Sequence, residues 1–167
     1  MKRIKKQRLA SCATVGHVAE ADDRLDVIEL IHRYAAVVDS ERYDELPRVF
    51  AVDAECDYGS MRAYLGDDCQ PSGLADIERW MRRYTGSRSS VHFMHNHIVE
   101  LDGDVATMRN YMHNTTSSIA GVYETEARRT VDGWRLTRLR LEERFLDAER
   151  VGPPTPVAGA GGLGADA

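Results

Sequence analysis

Apolar side chains recur every three or four positions in the first part of the chain, which is the spacing of one face of an α-helix. Such a helix is predicted to begin at Asp22 or Asp23, either of which can cap it. Its apolar face is formed by Leu25, Ile28, Ile31, Ala35 and Val38. A short second helix is predicted over residues 42–50, with Pro47 tolerated only near its beginning. A third helix is predicted over residues 73–84.

The second half of the chain is rich in strand-forming residues. The predicted strands span residues 54–58, 89–101, 105–116, 122–131 and 134–145. The last four form two pairs joined by Asp102-Gly103 and Asp132-Gly133, and Asp-Gly between such runs is a strong hairpin signal. The order α-α-β-α-β-β-β-β predicts an α+β fold. We expect a cone-shaped, curved antiparallel β-sheet with the helices on its concave side, enclosing a pocket.

Both ends of the chain differ in composition from the middle. Residues 1–21 combine a basic run with small residues and predict a flexible N-terminal extension. Residues 148–167 are dominated by Gly, Pro and Ala, a composition that cannot pack a core and predicts a disordered tail. A single pocket domain is therefore expected over residues 22–147, large enough to fold alone and to enclose one modest cavity.

Charge and cysteine usage narrow the classes of protein. The net charge of −5 argues against a nucleic-acid-binding protein, which normally carries a basic stripe. No run approaches the roughly 18 apolar residues of a membrane span. The cysteines Cys12, Cys56 and Cys69 have no CxxC spacing, which favours a reduced, cytoplasmic protein over a disulfide framework or a zinc module. No phosphate-binding loop, dinucleotide fingerprint or Ser-His-Asp elbow occurs, so neither a cofactor nor a metal is predicted.

Several short strings occur in an order and spacing that resemble one family. DRLDVIELIHRY at residues 23–34, followed by Asp39, is similar to the first helix of SnoaL-like, nuclear-transport-factor-2-like (NTF2-like) proteins. HFMHN at residues 92–96 resembles the His-x-x-x-Asn segment of their first long strand, and residues 101–106 and 121–136 resemble their later hairpins. The resemblance covers the predicted domain and is nearest in motif to the scytalone dehydratase and bile-acid 7α-dehydratase branch. It implies a cofactor-independent enzyme with a small-molecule substrate.

The resemblance implies a catalytic pair. Asp39 falls on the position of an Asp that orients a strand His, and His92 falls on the position of that His, which abstracts a proton next to a leaving group. This is sound chemistry, because His is a competent base near neutral pH and a buried carboxylate stabilises the imidazolium that forms. The alternative for Asp39 is a simple helix-terminal residue, although a negative charge there opposes the helix dipole.

Two tyrosines and a second histidine are candidates for substrate binding. Tyr34 and Tyr58 match by spacing the tyrosines of the bile-acid dehydratase branch, and a phenol can donate a hydrogen bond to a carbonyl or leaving oxygen. The alternative for each is a half-buried core tyrosine. If the first Asp-Gly pair is a two-residue turn, His92 faces His113 across the hairpin and His113 lies in the pocket. The alternative for His113 is a solvated strand residue.

The last strand departs from the family pattern. Many relatives carry an Arg where this chain has Leu139. Arg138, Arg140 or Arg144 would reach the pocket only if the register of that strand were shifted.

Strand alternation also predicts which residues face away from the pocket. They are Phe93, His95, His97 and Val99. Family relatives associate through this convex face, so a homodimer or homotrimer is expected. His95 and His97 could be half of a metal site, but without a carboxylate partner they are interpreted as oligomer-facing or solvated.

The favoured function is a cofactor-independent lyase (dehydratase) or cyclase. It would act by His-Asp-assisted proton abstraction on a small, largely apolar metabolite such as a polyketide or steroid-like compound. The alternative is a non-catalytic small-molecule-binding or oligomerisation domain, which need not keep the Asp39–His92 pair. A third possibility, the small subunit of a ring-hydroxylating dioxygenase, shares the fold but is usually longer and gives no reason for this pair.

Overall fold

The computed structural model describes residues 5–85, 91–115 and 119–147, with the side chains of residues 5–17 and 64 left out. Helices are α1 (Lys5–Asp39), α2 (Arg62–Leu65) and α3 (Leu74–Tyr84), and short 3₁₀ helices span Tyr43–Arg48 and Gly59–Met61. Strands are β1 (Phe50–Asp57), β2 (His92–Asp102), β3 (Val105–Asn114), β4 (Ile119–Thr130) and β5 (Gly133–Leu146). The α+β prediction is confirmed.

Helix α1 is longer than the sequence pattern predicts, because it begins at Lys5 and not at Asp22. The added part contains four Ala and two Lys, which are strong helix formers, and it lacks the apolar face on which the prediction relied. Residues 1–4 and the predicted disordered tail over 148–167 lie outside the described residues. The domain boundary near residue 22 stays a prediction.

The segment predicted as a second helix is a 3₁₀ helix over Tyr43–Arg48. Pro47 lies inside it and has no N–H to donate, which limits the helix to a short piece. The side chains of Tyr43 and Leu46 are buried, and the Pro47 carbonyl accepts a hydrogen bond of 2.9 Å from Arg135 Nε. This segment therefore joins the end of α1 to β1 and packs that junction against β5.

The described residues form one curved, unclosed sheet with the strand order β1-β5-β4-β3-β2. Strands β2 to β5 form the predicted antiparallel meander. The prediction of an entirely antiparallel sheet is wrong at one edge, where β1 pairs in parallel with β5, from Phe50 opposite Leu136 to Asp57 opposite Arg140. Because β1 and β5 are separated in the chain by α3 and three strands, no hairpin turn requires them to run antiparallel.

The register of the β2–β3 hairpin differs from the prediction in two places. Asp102 pairs with Val105, so the turn residues are Gly103 and Asp104 and not the Asp-Gly pair itself. The register shifts again between His95 and Ile98, where the backbone of Asn96 has a positive φ of 53°. The first difference comes from the position of the turn and the second from a β-bulge. Beyond a bulge, each side chain points to the opposite face from the one that simple alternation predicts.

The bulge divides the side chains of β2 between two faces of the sheet. The inner face, toward the helices, carries Met94, His97 and Val99, together with Met112, Tyr123 and Leu141 of the other strands. The outer face carries Phe93, His95, Ile98, Tyr111 and His113. The prediction that His97 and Val99 lie on the convex face is therefore wrong, because the sequence does not reveal the bulge before them.

Helix α1 closes the inner face of the sheet. Its buried side chains are Val27, Leu30, Ile31, Tyr34, Val37 and Val38. Complete burial of each aliphatic side chain contributes about 1.5–3 kcal/mol, so this face is a main source of stability. Helix α3 packs beside it on β1 through Ile77, Trp80 and Met81. Between the end of α1, α3 and the sheet the apolar layer is incomplete, and a cavity remains.

Candidate active site

The end of α1 and the start of β2 bring Asp39 and His92 together. Asp39 Oδ1 lies 2.5 Å from His92 Nδ1, and Asp39 Oδ2 accepts a hydrogen bond of 2.9 Å from the His92 backbone N–H. The side chains are 16% and 20% exposed, so the pair lies in a wall that is mostly shielded from water. The carboxylate thus fixes both the imidazole ring and the strand that carries it.

This geometry assigns the two ring nitrogens of His92 different tasks. Nδ1 carries the proton that it donates to Asp39, so Nε2 bears the free lone pair. A neutral imidazole in this tautomer is a base, and the adjacent carboxylate stabilises the imidazolium that forms when Nε2 takes a proton.

Three tyrosine hydroxyls form a hydrogen-bonded chain in the same cavity. Tyr34, from the last two turns of α1, and Tyr58, directly after β1, have hydroxyl oxygens 2.9 Å apart. Tyr34 also makes a side-chain hydrogen bond with Tyr123 on β4, so its hydroxyl lies between the other two. Burial raises the pKa of all three phenols, so they remain protonated donors at neutral pH.

The rest of the cavity wall is mostly apolar and aromatic, with Thr85 and Asn114 as further polar residues. The Trp80 ring stacks on Tyr58 at 4.4 Å and is fixed by its Nε1, which donates to the Asp68 carbonyl at 2.7 Å. Further lining residues are Val38, Met61, Leu65, Tyr84, Met112, Ile119 and Leu141. The cavity volume of about 100 Å³ is below the usual range for ligand sites, which favours a small substrate.

The structure places His113 outside the cavity, so its predicted role in substrate binding is wrong. His113 pairs with Phe93 and not with His92, which puts it on the outer face of the sheet. There its ring stacks at 5.0 Å on Phe93, and its Nδ1 lies 3.2 Å from His95 Nε2. The residue opposite His92 is Asn114, which is buried and lines the cavity.

Among the residues that the structure describes, no arginine of the last strand lines the cavity. Leu139 and Leu141 point inward and are buried, whereas the neighbouring arginines point outward. Arg138 lies 3.5 Å from Glu126 and Arg140 lies 3.3 Å from Glu124. Any negative charge that forms on a bound molecule would therefore be met by tyrosine hydroxyls and the His92 imidazole.

Sequence reasoning missed Tyr123, Asn114 and Met112 as cavity residues. All three lie on the inner face of the β3–β4 pair, so the signal for them was the strand register. With the observed turn, Met112 and Asn114 stand opposite Met94 and His92. Tyr123 pairs with Asn110 on the same face.

Two features of the described part of the chain bear on partners. No group of three or more His, Cys, Asp or Glu side chains there is arranged to hold a metal ion. None of its helices is long and apolar enough to cross a membrane.

Fold and site together define an α+β pocket protein with a His–Asp pair in the cavity wall. The chain belongs to the SnoaL-like domain family, whose model matches residues 19–140. It is similar to an uncharacterised protein of Mycobacterium tuberculosis, with 34% identity over 137 residues, which are 76% of this chain and 88% of the relative.

Similar solved structures share the same fold. The Kfla4162 protein of Kribbella flavida is 26% identical with a TM-score of 0.68, covering 77% of this chain and 95% of its own. A chain of Novosphingobium aromaticivorans named "Putative aromatic ring hydroxylase" is 26% identical with a TM-score of 0.64, covering 79% and 98%. Another from that organism, named "Putative Scytalone Dehydratase", is 16% identical with a TM-score of 0.65, covering 89% and 99%.

Proposed function

We propose that this protein is a cofactor-independent lyase or cyclase that removes a proton from a small, largely apolar ketone-like metabolite, with His92 as the base. The observation that carries the proposal is the Asp39–His92 contact of 2.5 Å in the wall of an apolar cavity lined by tyrosine hydroxyls. A structural ion pair would not need to sit beside a cavity with protonated donors directed into it.

The proposed reaction uses the cavity residues in sequence. The substrate carbonyl accepts a hydrogen bond from the tyrosine chain, which makes the neighbouring C–H acidic. His92 Nε2 takes that proton, and the electron pair of the C–H bond forms a double bond as the β-hydroxyl leaves. The imidazolium returns its proton to the departing oxygen, so water is released and the enzyme is regenerated. Asp39 stabilises the imidazolium throughout.

A cyclase would share the first step, since the carbanion or enol formed by His92 could attack a second carbonyl. Two observations favour elimination. The cavity is small, and the similar chain named as a scytalone dehydratase has the same fold. A cytoplasmic location also remains part of the proposal.

Hydrogen exchange at carbon tests the base directly, before the natural substrate is known. We expect the protein to speed deuterium incorporation next to the carbonyl of cyclic ketones such as tetralone and indanone in D₂O. His92→Ala should lower this rate by about 10²–10⁴-fold, the usual contribution of a positioned base. Asp39→Asn should lose much of the same activity, because an amide does not supply the compensating charge.

The control is His113→Gln, which changes a histidine on the outer face and should leave the exchange rate unchanged. A β-hydroxy derivative of tetralone tests elimination itself, since loss of water is followed by absorbance. If His92→Ala retains the full rate, or if the ketones bind without exchange, the non-catalytic binding domain is the correct alternative.

A further inference from the structure

Polar contacts join helix α1 to strand β2 along their whole shared length, and we call this row the α1–β2 seam. The Arg24 guanidinium donates to the Val99 carbonyl at one end. In the middle the rings of His32 and His97 meet edge to face, with centroids 4.8 Å apart and planes at 83°. At the other end Asp39 accepts the two hydrogen bonds from His92 described above. The active-site pair is therefore one end of a longer contact between the same two elements.

The middle contact differs from the two ends because it joins two groups of the same kind. His97 follows the β-bulge at Asn96, which turns its ring inward against α1. Its Nε2 is buried and, among the described residues, has no hydrogen-bond partner. Imidazoles pack well in this arrangement while both are neutral. Neither ring supplies the negative charge that a protonated partner would need.

The surroundings of His97 also lack a negative charge that could balance a protonated ring. Asn110, on β3 beside the bulge, donates its amide N–H to the Tyr111 carbonyl at 3.1 Å, so its oxygen Oδ1 faces away from that carbonyl. That oxygen is also buried without a partner in the described residues. It is a neutral acceptor and does not balance a full positive charge.

The titratable groups that act on His97 are basic. They are His32 from α1 and His95 from β2 itself. On α1 the nearest charges in sequence, Glu29 and Arg33, pair with each other at 2.7 Å, and β3 contributes the neutral Asn110. Burial first, and then His32 and His95, lower the pKa of His97.

We propose that the His32–His97 contact is an acid-sensitive element of the fold, which loosens the middle of the α1–β2 seam below about pH 6.5. A proton on either ring puts an uncompensated charge into the seam, and protons on both rings repel. At the ends of the seam Arg24 stays charged in this range, and His92 faces a carboxylate and not a second imidazole. The middle contact therefore determines the response of the seam to acid.

The sign of the effect follows from linkage. His97 has a lowered pKa in the folded protein, so the unfolded or locally opened state binds the proton more readily. Stability is therefore complete above the ordinary histidine pKa and falls as the pH drops below it. One such proton changes the opening equilibrium by at most about tenfold per pH unit. The effect does not depend on which reaction the cavity performs.

Amide hydrogen exchange at about pH 7.5 and about pH 5.5 tests the proposal on the full chain, with rates corrected for intrinsic pH dependence. We expect peptides from residues 24–39 and 92–99 to open up to about tenfold more per pH unit in acid. Peptides from the β4–β5 hairpin should change less, because it lies outside the seam. His97→Phe should remove the difference, and His32→Gln should reduce it. His113→Gln, a histidine outside the seam, should keep it.

Nuclear magnetic resonance titration of the wild-type histidines provides a second measurement that does not depend on variants. His97 should take up its proton at a pH below the ordinary histidine value of about 6.5, together with shifts in the amides of α1. The proposal is overturned if the seam peptides show no extra opening in acid. It is also overturned if the response persists in His97→Phe, or if His97 titrates at or above the ordinary histidine value.

Discussion

At the residue scale, the cavity contains tyrosine hydroxyl groups whose hydrogen-bond partners are other tyrosine hydroxyl groups. Tyr34 lies in the centre of the chain, with Tyr58 and Tyr123 on either side. The sequence indicated Tyr34 and Tyr58 by their spacing and gave no indication of Tyr123. The hydroxyl in the middle bonds to both neighbours, so its removal breaks two hydrogen bonds.

Replacing single tyrosines by phenylalanine should distinguish the middle hydroxyl from an end hydroxyl by the loss in free energy of unfolding. Tyr123→Phe removes one hydrogen bond and should cost about 0.5–1.5 kcal/mol. Tyr34→Phe leaves both the Tyr58 and the Tyr123 hydroxyl without this partner, so it should cost more, about 1–3 kcal/mol. Urea denaturation with unchanged m-values would measure both. Equal losses would show that Tyr123 is not part of the chain.

At the element scale, the position of a residue within its helix or strand determines whether its place in the cavity could be predicted from the sequence. Asp39 and His92 were predictable, because each lies at the boundary of an element, where an error of one residue matters little. His113 was not, because a side chain in mid-strand changes face with every shift of register. The bulge at Asn96 has a positive φ at a residue that is not glycine, and nothing in the local sequence demands it. The parallel pairing of β1 with β5 was not predicted for a similar reason, since it depends on long-range packing and not on a turn.

A polar cluster of Asp23, Arg129 and Trp134 joins the middle of α1 to the β4–β5 hairpin. Arg129 donates to Asp23 at 2.5 Å and to Asp104 at 3.0 Å, and its guanidinium lies 4.6 Å from the Trp134 ring centroid. The Trp134 Nε1 donates to Asp23 at 3.2 Å. The hydrogen bond from Arg129 lowers the pKa of Asp23 below its ordinary value.

Asp23→Asn should therefore lower the free energy of unfolding in a pH-dependent way. The carboxylate stabilises the fold above its unfolded pKa near 3.8, and this contribution is lost as the pH falls through the lower, folded value. For a partly exposed pair we expect a loss of about 0.5–1 kcal/mol at neutral pH. Thermal unfolding between neutral pH and about pH 3 should show the difference shrinking toward zero. The exposed neighbour substitution Asp22→Asn should have little effect at either pH, and an equal effect of both variants would contradict the role of the cluster.

At the scale of the whole molecule, both edges of the sheet are covered by other elements, whereas its outer face is exposed. The β1 edge is paired with the loop before α3, as in the hydrogen bonds from Cys56 N–H to Pro71 and from Tyr58 N–H to Cys69. The β2 edge is bounded by α1. The outer face remains open, and it carries large apolar side chains that are 42–60% exposed: Phe93, Ile98, Tyr111 and Phe145.

We propose that a second copy of the chain covers this outer face, giving a homodimer or homotrimer. Light scattering at micromolar concentration should then return a multiple of the 18.7 kDa chain mass. A double substitution of Ile98 and Tyr111 by Glu should shift the protein toward the monomer, because it adds charge to the apolar part of the face. Val52→Glu, on the exposed side of β1, is the matched control and should not. A wild-type mass of about one chain would exclude this assembly.

The parallel pairing of β1 with β5 also has a consequence for the order in which the protein can mature on the ribosome. Within the described residues, the strand partner of β1 is the last strand to be synthesised. Translation at about 5–20 residues per second leaves β1 waiting on the order of ten seconds for that partner. Meanwhile α1, α3 and the β2–β4 meander can already associate. The wall that carries Tyr58 is therefore completed last, so a nascent chain has its Asp39–His92 pair before it has a closed cavity.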